Sequence, residues 1–158
     1  MTTPLIMLGL LVGLAILLTV ANRLSGWPRW SSSTRGCVGV ALVFAFTGVG
    51  HFIKTEPMAE MLPPWTPARV PLVYVTGVIE LAAAALVLVP AARRSVGWGL
   101  IAMLLMFLPV NIYAPVNRVG MGGHLNGPGY LAIRIPLQSI LIAWVWRFAV
   151  RKSVMTTD

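Results

Sequence analysis

Glu80 is the residue with the most chemistry to offer. It stands in the middle of residues 70–89, VPLVYVTGVIELAAAALVLV, an otherwise apolar run of helix-spanning length. A carboxylate at that depth in a bilayer costs a few kcal/mol or more, so it has to face protein, water or a cation. Few other polar side chains interrupt the apolar stretches: Thr47 and His51, Tyr74 and Thr76, Asn111 and Tyr113, Arg134 and Gln138. Thr76 and Glu80 are four residues apart, as are Arg134 and Gln138, so each pair shares a helix face. Arg134 stays charged and can fork onto a carboxylate, which makes it the expected partner of Glu80. Such a pair can lock helix register or serve a ligand or a proton. Asn111 and Gln138 are expected as interhelical hydrogen-bonding groups worth about 1 kcal/mol each.

Several chemistries are excluded at this level. No nucleophile–base pair, phosphate loop or dinucleotide fingerprint is present. The single cysteine, Cys37, rules out an internal disulfide, a CxxC redox pair and a multi-cysteine metal site, so no metal is expected. A haem on His51 would have only His124, in a glycine-rich loop, as its second axial ligand, which argues against haem.

The elements that must position these residues are membrane helices. Hydrophobic residues make up 58% of the 158 and charged ones only 10%, well below a soluble domain. Apolar runs at residues 4–21, 37–53, 70–89, 95–113 and 131–150 are each near spanning length, and none alternates as a strand would. The prediction is one all-α polytopic bundle of five transmembrane helices over residues 1–158. The net charge of +8 sits between the apolar runs, which suits lipid and orientation contacts and argues against nucleic acid. The first run, with Thr19-Val20-Ala21 as a passable cleavage site, could be a signal. It follows MTTPL rather than a basic segment and is long, so it is expected to be a retained helix. Gly9 and Gly13 form a GxxxG that could serve as a close-packing face.

Lysine and arginine set the orientation. Arg23, Arg29, Arg35, Arg93, Arg94, Arg147, Arg151 and Lys152 fall on one side of the five crossings, and Lys54, Arg69 and Arg118 on the other. The positive-inside rule then places the N-terminus outside and the C-terminus in the cytoplasm. Trp27, Trp30, Trp65, Trp98, Trp144 and Trp146 suit the interfaces. In this frame the polar groups inside the membrane fall in the outer half, with Glu80 near the midplane. A site opening outward is implied, under two unusual loops. One, KTEPMAEMLPPWTPARVP, has X-Pro steps that favour extended backbone. The other, VNRVGMGGHLNGPGY, is glycine-rich and is either a cap over the bundle or an exposed connector. Pro109 and Pro136, inside helical runs, are expected to kink them and free carbonyls to line a cavity.

Five pieces in order carry a resemblance: GVGHF at 48–52 followed by LPP at 62–64, YVTGVIE at 74–80, PVNIY at 109–113 and RIPLQ at 134–138. With them the chain resembles the DoxX-like family of small bacterial membrane proteins, over about residues 36 to 148. The resemblance implies a four-helix core at residues 36–150 with residues 1–22 as an added N-terminal transmembrane helix. It also implies a bacterial plasma (inner) membrane location and a link to redox assemblies, including a thiosulfate:quinone oxidoreductase subunit. No cofactor ligand set is evident in this chain, so a redox role would require a bound quinone or a cofactor-bearing partner subunit.

The expected function is accordingly an accessory subunit of a redox-linked membrane assembly. It would bind a small, partly apolar molecule such as a quinone in an outward pocket lined by His51, Tyr74, Glu80, Asn111, Arg134 and Gln138. Arg134 would orient a carbonyl or anion. Alternatives are a membrane isomerase using Glu80 and His51 as acid and base, or a scaffold or transporter without catalysis. A transporter usually shows inverted repeats or a second polar layer toward the cytoplasm, and neither is visible.

Overall fold

In the computed structural model, which describes residues 2–24 and 30–151, every element is helical and no strand occurs among the described residues. Trp27, Arg29 and Lys152 lie outside the described residues. Helix α1 runs as Thr2–Leu8, a π-helical turn Gly9–Gly13 and Leu14–Leu24. Then come α2 (Ser32–Ile53), a short α3 (Thr55–Glu60), α4 (Arg69–Leu86) and α5 (Arg93–Asn117). Two 3-10 turns, Gly122–Asn126 and Pro128–Tyr130, lead into α6 (Leu131–Val145), which ends in a π-helical stretch Trp146–Arg151. Five of these helices are long and apolar enough to cross a membrane. The chain is an all-α bundle of the multi-pass membrane type.

Polar contacts at the helix ends explain why two helices start before their apolar runs do. Ser31 caps α2, its hydroxyl accepting from the Thr34 N–H at 3.1 Å. Buried Arg93 opens α5 by closing α4. Its Nε donates to Val87 O at 3.2 Å and its Nη2 to Leu88 O at 3.3 Å, which takes up orphan carbonyls of the preceding helix. The same guanidinium reaches across to the Ser33 and Thr34 hydroxyls at 3.4 and 3.3 Å, tying α5 to α2.

Among the described helices α2 and α4 pack most extensively, and glycine permits their close approach. A Cβ built on Gly77 would stand 2.7 Å from His51 Cβ, and one on Gly48 3.2 Å from Glu80 Cβ. Neither residue could carry a side chain without moving the helices apart. The aliphatic core, with Leu11, Val40, Phe44, Leu100 and Val145, comes from the first half of α2 and α5, the end of α6 and the π turn of α1. The polar residues gather toward the other end.

Two expectations about the backbone are corrected. The proline-rich loop contains α3 rather than extended chain only, because Pro57 falls in its first turn, where a missing N–H costs nothing. Gly9 and Gly13 bracket the π turn of α1, and a Cβ on either meets nothing within 4 Å. The GxxxG is not a packing face among the described residues.

Candidate functional site

A cavity of about 630 Å³ opens between the helices beneath the two loops. Its walls are largely apolar: Val43 and Phe44 of α2, Val73 of α4, Leu104 and Phe107 of α5, and Leu141 of α6. Thr47, His51, Thr76, Glu80, Asn111, Arg134 and Gln138 also line it, so α2, α4, α5 and α6 each contribute polar groups to one space. Its volume is that of a small-molecule site. A second cavity, of about 370 Å³ between α1, α2 and the end of α6, has Arg35 as its one ionisable lining residue.

The floor of the larger cavity is a hydrogen-bonded chain. Arg134 Nη2 donates to Asn111 Oδ1 at 2.8 Å, and Asn111 Nδ2 donates to Gln138 Oε1 at 3.0 Å. Gln138 Nε2 in turn donates to Leu104 O. Both amide orientations follow from the ends of this chain: guanidinium can only donate and a carbonyl can only accept. Pro109, inside α5 and four residues after Leu105, has no N–H to offer Leu105 O. Asn111 and Gln138 are therefore bonded to each other, and they also hold Arg134 in place.

Glu80 sits on the opposite wall. Its side chain is buried at 4% exposure and its nearest base is His51, whose Nδ1 lies 3.7 Å from Oε2. The same His51 Nδ1 is 2.9 Å from Thr47 O, so that nitrogen carries a proton and Nε2 is the basic site of the neutral ring. The expected Glu80–Arg134 pair is not formed: no contact within 4 Å joins them, although both line the cavity. Each is held by its own neighbours, Glu80 by the α2 crossing and Arg134 by Asn111. The space between them is the cavity.

The glycine-rich loop closes the end of the cavity away from the aliphatic core. Gly120 takes φ of 88° and packs against Met61, with Pro57 O 3.1 Å from where a Cβ would be, which seats this loop on α3. His124 is carried inward to 7% exposure. Its Nδ1 is 2.9 Å from Met121 O and its ring meets Tyr130 edge-on at 5.0 Å. Burial, with the Arg134 charge acting in the same direction, holds its pKa below the ordinary imidazole value despite the Met121 hydrogen bond. His124 is thus neutral, with Nε2 a bare acceptor. The sequence pointed to this residue only as a possible axial haem ligand. The signal was present, since a histidine among glycines can be brought in where a bulkier loop could not. Tyr74 is the opposite case. It does not line the cavity, is 43% exposed and packs on Phe52, with ring centroids 5.7 Å apart. Its position one turn before Val78 turns it outward on α4, away from the face that carries Val73, Gly77 and Glu80.

Three buried polar atoms around the cavity have no hydrogen-bond partner: Glu80 Oε2, His124 Nε2 and Arg134 Nε. They come from α4, the capping loop and α6, and their residues meet only at this cavity. Buried polar groups are nearly always paired, and three left open around one apolar space make a pattern of acceptor and donor awaiting a complement.

Residues 40–149 match the family model described as Domain of unknown function (DUF8561), and the chain belongs to that family. The match covers α2 from its third turn through α6 and leaves out α1. No curated protein and no solved structure matches the chain.

Proposed function

We propose that this protein is a bacterial inner-membrane binding subunit, oriented with its N-terminus outside, whose cavity takes a small amphiphile from the outer half of the bilayer. The observation that carries this reading is the set of three unpartnered atoms on a largely apolar cavity. A ligand with an apolar body and an oxygen-bearing head would satisfy them: Arg134 Nε–H as donor to an oxygen, His124 Nε2 and Glu80 as acceptors from a hydroxyl. Of molecules with that pattern, a quinone and its quinol are the ones favoured by the resemblance to DoxX-like proteins. In that case electrons would come from a cofactor-bearing partner subunit, and the Glu80–His51 pair would take or return the protons. Mass spectrometry of the protein purified in mild detergent, with extraction of small molecules, tests the reading. A stoichiometric small molecule that is lost in Arg134→Met is the expected result. A clean protein whose stability does not respond to added menadione or to amphiphiles would overturn it.

The 3.7 Å approach of His51 and Glu80 favours one second reading, acid–base isomerisation of a lipid-soluble substrate. Glu80→Gln separates the two: it would keep ligand binding and stop turnover in an isomerase.

A further inference from the structure

Among the described residues, Arg93 is buried and Arg134 half-buried with its Nε out of solvent, and the two guanidinium groups are treated differently. Arg93 has every guanidinium nitrogen engaged: Nε on Val87 O, Nη1 on the Ser33 hydroxyl, Nη2 on the Thr34 hydroxyl and Leu88 O. Arg134 has Nη2 on Asn111 Oδ1, a neutral oxygen, and its Nε is buried with no partner. A guanidinium cannot shed its proton to escape this, so a structural arginine would be expected to resemble Arg93. No contact within 4 Å joins Glu80 to Arg134, and His51 is the base beside that carboxyl. Lys54 lines the cavity as well. The cationic side chains of the lining are thus Lys54, exposed at its rim, and Arg134, farther in. An anionic head group suits the open Nε edge of Arg134.

We propose that the amphiphile in this cavity is a single-chain carboxylate, a fatty acid, whose head group accepts from Arg134 Nε and whose chain lies among Phe44, Leu104, Phe107 and Leu141. This rests on the cavity being a ligand site and takes Arg134 Nε, the donor among its three unpartnered atoms, as the group that selects the head. Glu80 Oε2 and His124 Nε2, both acceptors, would bond water carried in with the carboxylate. A charge-assisted bond to Arg134 is stronger than one to a neutral carbonyl or hydroxyl, and the cost of leaving the buried Nε–H without a partner is removed with it. Asn111 and Gln138 serve as positioning residues, because the chain from Leu104 O turns the guanidinium so that Nε is the edge left open.

The test is equilibrium binding of radiolabelled palmitate to the full-length protein in phosphatidylcholine nanodiscs, read against empty nanodiscs. Unlabelled palmitate should displace the label, hexadecanol should need about tenfold higher concentration or more, and Arg134→Gln should weaken palmitate binding by a similar factor. The alcohol comparison is made on the parent protein and holds even where the variant does not fold. Hexadecanol competing as well as palmitate would overturn the inference. Palmitate failing to bind while menadione binds would overturn it and leave the ligand-site reading standing. Neither binding to a stably folded parent would remove both.

Discussion

Asn111 decides the direction of every hydrogen bond on the cavity floor, because it stands between a group that only donates and one that passes the bond on. Asn111→Leu would leave Arg134 Nη2 and Gln138 Oε1 without partners, a loss of about 1–3 kcal/mol. Adding Gln138→Leu removes one of those orphans, so the double variant should fall short of the summed single losses by about 0.5 kcal/mol or more. Thermal unfolding in detergent across the four-member cycle measures it, and strict additivity would mean that the two amides act independently. His124 gives a second test at this scale. Its pKa is below the ordinary 6.5 in the folded protein, so the unfolded chain binds the proton more readily. Its neutral form therefore stabilises the fold fully above that ordinary value, and stability declines as pH falls below it. Parent and His124→Gln unfolding compared from pH 8 to pH 5 should show the steeper acid-side loss in the parent. Parallel curves would mean that the imidazole titrates as it does in water.

Between elements, the crossing of α2 and α4 is what brings His51 to Glu80, and Gly48 and Gly77 permit it. Gly77→Ala should destabilise by about 1–3 kcal/mol, since the new methyl meets His51 Cβ and a packed interface yields only by strain. Gly99→Ala is the matched control. A Cβ there meets nothing within 4 Å on α5, so the change should be neutral or stabilise by up to about 1 kcal/mol. Equal effects of the two in a thermal-shift assay would mean that backbone propensity, and not close approach, governs both. The same contrast explains what could be read from the chain alone. Five spans were legible because runs of apolar residues have one solution in lipid, and Glu80, Asn111, Arg134 and Gln138 were legible because each interrupts such a run. Which of them touch was not, since partner choice depends on how close two helices come. The glycine crossing gives Glu80 to His51 and leaves Arg134 to Asn111. Tyr74 misled because a polar tip on an aromatic ring is as suited to a helix's outer face as to its inner one. His124 could be found only once Gly120 had folded its loop onto α3.

At the scale of the whole molecule, the bundle is polarised along its length. The aliphatic core fills one end, while the cavity, both histidines and the two capping loops occupy the other. A membrane protein built this way delivers its chemistry to one side only, and which side depends on the proposed orientation. Cysteine labelling decides it with little background, because the native Cys37 has no exposed surface. Glu60, at the end of α3, and Ser95, in the first turn of α5, are both exposed and lie at opposite ends of α4. Glu60→Cys should react with a membrane-impermeant maleimide in intact cells, and Ser95→Cys only after permeabilisation. The reverse pattern would turn the cavity toward the cytoplasm. The arginine-rich loops would then face outward, against the charge rule, and any ligand would have to be drawn from the inner leaflet. With the expected pattern, the ligand enters from the outer leaflet beneath the two loops. Lys54 then stands beside the entrance and Arg134 lies farther in, so an anionic head meets a cation at both stages of entry.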